Sequence, residues 1–386
     1  MDKWSLKISP VDAWFFRDSR PYNKGESHQT HVRSLFPPLA PTAVGAMRAN
    51  LAYSAGWDGR SSWDDQDEEF RETLGSGYEN LGNLDFKGPH VIRRSSKRSQ
   101  DTAYERLYPM PLHVLGRVEP AKSGDRWVPK TLLEPGAPTL CDLGEVRLPQ
   151  PRVDEFEGLK EPSNLWITQQ GMIQILSGGL PDAAHIMEAG KLWSHEWRVG
   201  LHRHPTKLIT EENALYSPGY VRPESDVAIG LEIGGIPEGD RWSVSGRVPF
   251  GGERRMANID HIELPDPPQP TSSNTVRGLT VTFITPGRFS GDALEEAFRA
   301  GGALDQSFGV LADYDLASAC VGKRVYIGGW NSIERKPLPL KPYIPAGTTL
   351  FFSVSPSDHQ KVLELHGEKI GERTSYGFGQ VLIGYF

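Results

Sequence analysis

The chain has 386 residues, 38% of them hydrophobic, which predicts a globular protein of two domains with sizeable cores. No apolar run reaches the roughly 18 residues of a transmembrane helix. Residues 1–14 lack the apolar stretch of a signal peptide, so we expect a cytoplasmic protein. The two distant cysteines exclude a disulfide framework and a thiolate metal site. With a net charge of -7, binding to a polyanion would depend on local basic surfaces.

The stretch Asp12–Arg48 contains three consecutive aromatic residues, several arginines and a proline-rich segment before a predicted helix at 43–55. We expect Thr42 to cap this helix, since its hydroxyl can accept a hydrogen bond from a backbone N–H group. Gly45 would let another backbone approach, and Arg48 lies one turn along on the same face. A helix start with a glycine and an arginine on one face predicts a phosphate site. The alternative is a core helix with Arg48 in a structural salt bridge.

Acidic and basic residues are concentrated in two later segments. Residues 57–80 carry five closely spaced acidic residues, which is typical of a solvated helix face, and we assign them no role. Residues 91–106 form the densest basic patch of the chain, and their serines indicate a loop. A polyanion contact and a disordered surface loop both fit this patch. The residues of this possible RNA-binding loop are Arg93, Arg94, Lys97 and Arg98.

The middle of the chain offers fewer signals. Residues 116–163 are rich in proline, glycine and charge and lack periodicity, which predicts a long irregular insertion. Thr168–Leu176 is predicted to be a short capped helix. Four histidines could together form a metal site, namely His28, His31, His202 and His204. Their spacings are common by chance and no acidic motif accompanies them, so the sequence predicts no metal.

The second half of the chain is predicted to consist mainly of short strands with one helix from 291 to about 299. The predicted strands are 214–221, 227–233, 242–248, 279–284, 321–330, 348–354 and 381–386. Between two of them, Gly251 and Gly252 precede Arg254 and Arg255. Two glycines before two arginines would let backbone and guanidinium groups approach a ligand together, with a plain bulge as the alternative.

A second glycine-rich segment lies near the C-terminal end. Gly377 and Gly379 follow Arg373 and Tyr376, and a strand comes next. The segment lacks the lysine and the spacing of a P-loop, and no helix follows it. A dinucleotide-binding fold is therefore not expected.

Several motifs occur in an order that is specific in combination. They are D-x-W-F-F-R-D-x-R-P-Y at 12–22, F-P-P-x-x-P-T-x-x-G-A-x-R at 36–48, E-N-A-L-Y-S-P-G-Y-V-R at 212–222, G-G-E-R-R at 251–255, T-P at 285–286, G-K-x-x-x-I-G-G-W at 322–330, P-A-G-T at 345–348 and G-E-R-x-x-Y-G-F-G at 371–379. With these motifs the chain resembles the third subunit of the Cmr effector complex of type III-B CRISPR systems, which belongs to the RAMP superfamily of RNA-binding proteins. Residues 57–85 and 116–163 depart from the family pattern, and Asn331 stands where the family has an aspartate.

The resemblance implies an α+β fold of two ferredoxin-like (RRM-like) domains, 1–205 and 206–386, with insertions near 57–85 and 116–163. It implies no catalysis, metal or cofactor in this subunit. It also implies a position at the base of the complex, where the chain would bind the 5′ tag of the CRISPR RNA. The protein partners would be the large polymerase-like subunit and the backbone RAMP subunit. Target RNA would be met indirectly, and no membrane is involved.

The resemblance and the residue types together give a set of RNA-binding candidates. Glycine-rich backbone would bind phosphates, arginines would supply charge, and aromatic rings would stack on unpaired bases. The set is Arg17, Arg20, Arg33, Thr42, Gly45, Arg48, Gly251, Gly252, Arg254, Arg255, Trp330, Arg373, Tyr376, Gly377 and Gly379. For Trp330 and Phe378, core packing is the alternative.

Two other functions remain open at this point. A RAMP endoribonuclease that processes CRISPR RNA would use His28 or His31 as a general base. A small-molecule enzyme on a two-domain α+β fold would need a closed pocket with convergent carboxylates, and the sequence holds no catalytic or cofactor motif of adequate specificity.

Overall fold

The computed structural model describes residues 2–17, 31–95, 104–120, 124–142, 144–203, 210–271, 276–291, 293–298, 304–331 and 336–386. The α-helices are α1 (Ala40–Ser54), α2 (Glu68–Leu74), α3 (Gln169–Leu176), α4 (Ala293–Phe298) and α5 (His359–Leu363). Short 3-10 helices lie at Trp63–Asp65, Ala183–His185, Ala189–Lys191, Gln306–Asp313 and Thr374–Tyr376. Within these ranges, no helix is long and apolar enough to cross a membrane.

Most of the regular structure is β-strand, so the fold is α+β as predicted. The strands are β1 (Asp2–Pro10), β2 (His31–Arg33), β3 (Asp85–Arg94), β4 (Tyr104–Pro109), β5 (Val114–Glu119), β6 (Arg126–Cys141), β7 (Gly144–Pro151), β8 (Leu165–Thr168), β9 (Ile186–Glu188), β10 (Trp193–Trp197), β11 (Gly200–Arg203), β12 (Thr210–Pro223), β13 (Val227–Ile236), β14 (Gly246–Pro249), β15 (Met256–His261), β16 (Leu279–Phe283), β17 (Asp315–Cys320), β18 (Val325–Asn331), β19 (Lys336–Tyr343), β20 (Thr349–Ser353) and β21 (Val381–Tyr385).

The chain divides into two compact units that interleave along the sequence. Unit 1 contains residues 1–104, 190–264 and 326–341, and unit 2 contains residues 105–189, 265–325 and 342–386. The sequence prediction places a single boundary after residue 205, whereas the chain passes between the units several times. The physical reason is strand pairing, because β13 and β15 follow that boundary and yet both pair with β1 in unit 1.

Unit 1 contains a ferredoxin-like sheet with the spatial order β15-β1-β13-β3. In chain order these strands are the first (β1), second (β3), third (β13) and fourth (β15), and α1 connects the first two. All three pairings are antiparallel. The connection 237–255 holds no α-helix and instead supplies β14, which extends the sheet beside β15.

Unit 2 contains the complete βαββαβ pattern as β16-α4-β17-β20-α5-β21, with the spatial order β17-β20-β16-β21. Every residue of β16 is buried, because each face of the sheet carries its own apolar cluster. Val281 and Phe283 belong to the cluster that includes α4 and α5, whereas Ile284 and Leu382 belong to the cluster that includes α3. Among the described residues, both faces of this sheet are therefore covered, unlike the open sheet face of an RRM.

The prediction that residues 116–163 are an irregular insertion is wrong for most of this range, which forms strands. The strands β5, β6 and β7 form an antiparallel three-stranded sheet in unit 2. Two of the prolines that hid this pattern, Pro135 and Pro138, flank an irregularity where the register between β6 and β7 shifts. A residue without an N–H group fits where the ladder is interrupted, so proline content alone did not exclude strands.

Thr42 is not the cap of α1. The helix begins at Ala40, its N-cap residue is Leu39 without a side-chain hydrogen bond, and Pro41 lies in the first turn. Proline is favoured in a first turn because its missing N–H has no helical partner there, so the helix starts before Pro41 rather than after it. The cap predicted for α3 is confirmed, because the Thr168 hydroxyl accepts a hydrogen bond from the Gly171 N–H at 3.3 Å.

A buried histidine in unit 2 makes stability depend on pH. His113 is buried, its Nδ1 lies 2.9 Å from Thr349 Oγ1, and its ring packs edge-on against Phe351. Burial, and secondarily the positive charge of Arg152, lowers the pKa of His113 to about 3. Because an unfolded histidine takes up a proton below about 6.5, acid favours the unfolded chain from that pH downward, and this contribution is fully lost near the folded pKa.

We expect the free energy of unfolding in urea to fall on going from pH 7 to pH 4.5. The fall should exceed that of the His113→Asn variant by about 2 kcal/mol, since asparagine can keep the hydrogen bond to Thr349 but does not titrate. Equal losses in the two proteins would contradict a neutral buried His113.

Candidate RNA interface

An extended segment at 12–17 organises the surface of unit 1. The N–H of Trp14 donates to the Val221 carbonyl at 2.9 Å, and the N–H of Val221 donates back to Trp14 at 2.8 Å. On its other side the Phe15 carbonyl accepts from the Gly252 N–H at 2.8 Å. The segment therefore holds strand β12 and the loop between β14 and β15 in place.

The three aromatic residues of this segment alternate between two environments. Trp14 and Phe16 pack with Phe250, with ring centroids 5.4 to 5.5 Å apart. Phe15 points the other way and packs on Tyr220 at 5.6 Å. The apolar anchors fix the backbone, and Arg17, which follows them, lies at the surface.

Three of the predicted arginines are exposed around this segment. The backbone of Arg17 forms an isolated antiparallel β-bridge with Ser34, which places Arg17 beside the exposed Arg33. Arg254 is exposed in the loop that the Phe15 carbonyl anchors. The structure thus brings Arg17, Arg33 and Arg254 to the surface of unit 1, whereas Arg20 lies outside the described residues.

The loop that carries Arg254 has an unusual backbone. Glu253 and Arg254 have φ angles of 54° and 55°, a region that residues other than glycine rarely adopt. Gly251, with φ of 84°, approaches segment 12–17 so closely that a Cβ there would lie 2.8 Å from the Phe15 carbonyl oxygen. The Gly252 N–H is already used by Phe15 and so is not available to a phosphate, which corrects one predicted contact. Strained conformations of this kind concentrate at functional sites.

Five charged residues on one face of unit 1 form what we name the arginine cluster, and they are Asp12, Glu196, Arg198, Arg222 and Arg255. The Asp12 carboxylate accepts from Arg198 at 3.0 Å, from Arg222 at 2.6 Å and from Arg255 at 3.1 Å. Glu196 pairs with Arg198 at 2.9 Å and also with Arg222. Three guanidinium groups and two carboxylates give the arginine cluster itself a net charge of +1.

Electrostatics and packing both hold the arginine cluster together. The hydrogen bond from Arg222 is the main reason why the pKa of Asp12 falls to about 2, and Glu196 and Asp12 in turn raise the pKa of Arg222. The guanidinium of Arg255 lies 4.2 Å from the centre of the Tyr220 ring. Arg255 is therefore held by Asp12 and Tyr220, whereas the sequence prediction gives it a direct ligand contact.

The strands β10, β11, β12 and β2 form a small sheet in unit 1, with Glu196 and Arg222 of the arginine cluster on one face and an exposed indole on the other. Trp197 is 52% exposed, and its ring lies 3.0 Å from where a Cβ of Gly219 would be. Arg33 pairs with Gly219 across β2 and β12, so Arg33 lies on this face as well. Burial, followed by the positive charge of Arg33, lowers the pKa of His195 on the neighbouring strand. An exposed indole beside an arginine is an arrangement suited to stacking on an RNA base, and sequence reasoning missed it.

Arg48 is structural rather than a phosphate ligand. Its buried guanidinium donates to the carbonyl oxygens of Leu74 (3.1 Å from Nε) and Gly77 (2.9 Å) at the end of α2, and it lies 4.9 Å from the Trp63 ring centre. A cation there satisfies carbonyl groups that the end of a helix leaves unpaired. The backbone approach predicted at Gly45 is also not observed, because a Cβ on Gly45 would meet nothing within 4 Å.

The glycine-rich segment near the C-terminal end is packed into unit 2. Tyr376 is buried, and the Arg373 guanidinium lies 5.5 Å from its ring centre, so Tyr376 is closed to RNA bases. The Gly377 N–H donates to the Thr374 carbonyl, and the Gly379 N–H donates to the Pro286 carbonyl, both at 2.8 Å. These N–H groups are therefore not available to phosphates, which corrects the predicted role of the segment.

The remaining predicted residues divide between the surface and the core. Trp330 is exposed, so the core-packing alternative is wrong for it, whereas Phe378 is buried as that alternative predicts. In the basic patch, Arg93 pairs with Asp226 at 2.7 Å and Arg94 is exposed. Lys97 and Arg98 lie outside the described residues.

A comparison with known protein families identifies the family of this chain. The family model described as CRISPR-associated protein (Cas_Cmr3) matches residues 6–386. The chain belongs to the Cas_Cmr3 family. A search of curated proteins finds no significant match.

Among solved structures, this member of the Cas_Cmr3 family is similar to a chain of type III-B Cmr-beta bound to cognate target RNA. The two are 15% identical over 98% of this chain and 96% of the other, with a TM-score of 0.48. A chain of the Csm3-Csm4 subcomplex of the type III-A CRISPR-Cas interference complex is 10% identical over 99% of each chain, with a TM-score of 0.38.

The described part of this Cas_Cmr3 family chain contains no candidate metal site. There, no group of three or more His, Cys, Asp or Glu side chains is placed to hold a metal ion. Of the four histidines considered from the sequence, His28 and His204 lie outside the described residues, and His31 and His202 are described only by their backbone in β2 and β11.

Proposed function

We propose that the protein is a non-catalytic RAMP subunit, the third subunit of a cytoplasmic type III-B CRISPR effector complex, and that it binds the 5′ tag of the CRISPR RNA. In this role it joins the large polymerase-like subunit to the backbone RAMP subunit and meets target RNA through them. The observation that carries the proposal is the match to the Cas_Cmr3 family from residue 6 to residue 386.

The surface of unit 1 supports RNA as the ligand. A single-stranded tag offers phosphates and unpaired bases, which arginines and exposed aromatic rings recognise. Arg17 ends segment 12–17, and Arg33 and Arg254 lie beside that segment. The indole of Trp197 is on the sheet face that carries Arg33. The chain is acidic overall, so such a local cationic surface is what contact with a polyanion requires.

The test is an RNA-binding measurement on the complex assembled with and without this protein. One RNA carries the repeat-derived 5′ tag, and a matched RNA carries a scrambled tag of equal length. We expect the complete complex to bind the tagged RNA about tenfold more tightly, and the preference to disappear without the subunit.

Two outcomes would overturn the proposal. Equal affinity for both RNAs in the complete complex would remove tag binding and leave the subunit as a protein adaptor. Cleavage of repeat RNA by the isolated protein would replace the proposal with the endoribonuclease function.

A further inference from the structure

The hairpin of β18 and β19 presents an exposed aromatic surface in unit 1. Tyr326 and Trp330 are each 61% exposed and are four residues apart on β18, so both point to one face, with Gly328 between them. A Cβ on Gly328 would lie 3.0 Å from the Leu338 carbonyl oxygen and 3.2 Å from Leu340 Cδ2, so the backbone of β19 and the Leu340 side chain cover the glycine between the two rings. We name Tyr326, Leu340 and Trp330 the hairpin platform.

The other face of the hairpin is anchored within unit 1. Ile327 is buried, and a Cβ on Gly329 would lie 3.2 Å from Leu338 Cδ1 and 3.9 Å from Pro41 Cβ, in the first turn of α1. The hairpin therefore has a buried apolar side chain on this face and leaves the platform exposed on the other. Because the pairing of β18 with β19 already constrains the backbone, ordering the two rings around a ligand costs little backbone entropy.

The charge of the hairpin identifies the kind of partner. From Val325 to Tyr343 the sequence has three basic residues and one acidic residue, in a chain whose net charge is -7. Lys336 and Lys341 are exposed on β19. Exposed rings within a basic strand pair complement a polyanion that carries unpaired, flat, apolar bases, which is single-stranded RNA. A duplex would match the charge but hides the faces of its bases.

We propose that the hairpin platform stacks on unpaired bases of single-stranded RNA, while Lys336 and Lys341 contact the adjacent phosphates. The inference rests on the proposed function for the presence of RNA, but its residues are separate from the arginine cluster and from the arginines beside segment 12–17. The platform is therefore a second RNA contact. It binds a single strand by stacking on the faces of its bases, so it does not select a base sequence.

The test uses the full-length protein, alone and in the assembled complex. The probes are labelled single-stranded CRISPR RNA, labelled single-stranded target RNA and a duplex of equal length. Tyr326→Ala combined with Trp330→Ala should weaken binding of single-stranded RNA about 30-fold, with an unchanged salt dependence and unchanged duplex binding. We expect the loss for the CRISPR RNA, which is the strand that the proposed function brings to this chain directly, and the target RNA serves as the comparison.

Three further variants make the result specific. Trp330→Phe should keep most of the affinity, because it keeps a stacking ring. Lys336→Gln with Lys341→Gln should instead lower the salt dependence of binding. The control is Leu140→Ala, an exposed apolar residue of unit 2 that should leave RNA binding unchanged.

Two outcomes would overturn the platform. One is unchanged RNA affinity in the double-alanine variant. The other is loss of complex assembly while the isolated protein keeps its RNA affinity, which would make the surface a contact with a protein subunit. Failure of the proposed function is distinguishable, because loss of preference for the tagged RNA would leave the stacking effect on untagged single strands in place.

Discussion

Replacing Gly379 by alanine should lower the free energy of unfolding by about 4 kcal/mol. Gly379 has a φ angle of 74°, and a Cβ there would lie 1.9 Å from the carbonyl oxygen of Ile370. The overlap is with backbone, so relief requires a shift that also breaks the hydrogen bonds of Gly379 with Ile370 (2.9 Å) and Pro286 (2.8 Å). Urea unfolding followed by far-ultraviolet circular dichroism measures the loss.

The matched control is the same substitution at Gly45. This glycine lies within α1, and a Cβ on it would meet nothing within 4 Å. Alanine there should raise the free energy of unfolding by about 0.5–1 kcal/mol, because it restricts the unfolded chain and favours the helix. Similar effects at both positions would contradict the close approach of Gly379 to Ile370.

The sequence predicted individual strands and helices better than it predicted which of them belong to one domain. The strands β13 and β16 and the helix α3 follow from local periodicity and capping, and all three are present. The domain boundary depends on pairing between distant strands, and β1 pairs with β13, more than 200 residues later in the chain. Periodicity carries no information on such partners, so the interleaved units could not be read from the pattern.

The motifs located functional residue types without fixing where their side chains would lie. Arg48 and Tyr376 are in motifs, yet their partners at Leu74 and Arg373 place both in structural contacts. The arginine cluster joins Asp12 to Arg222 and Arg255, which are 210 and 243 residues away. No local spacing could have revealed it. The double glycine before Arg254 does lie in a tight turn whose tip exposes Arg254, and its contact with a ligand stays a prediction.

Removing the exposed arginines of unit 1 should cause the largest loss of RNA affinity. We expect Arg17→Gln, Arg33→Gln and Arg254→Gln together to weaken binding of the tagged CRISPR RNA to the assembled complex roughly 100-fold at low salt. Each removes about 1 kcal/mol of phosphate contact. The plot of log affinity against log salt should become shallower by about 2, since about 0.7 counterions are released for each phosphate contact on a single strand. Affinity measured over a salt series checks both values.

The control variant, Arg48→Gln, distinguishes exposed arginines that bind RNA from a buried arginine that stabilises the fold. Arg48→Gln also removes a positive charge from unit 1, one rather than three, but the Arg48 guanidinium is buried against the carbonyl oxygens of Leu74 and Gly77. It should lower the free energy of unfolding by about 2 kcal/mol, because the carbonyl groups lose their donors, while the folded protein keeps its RNA affinity and salt dependence. If Arg48→Gln weakened RNA binding as much as the triple variant, the phosphate site would lie at the start of α1, and the exposed arginines would not form the interface.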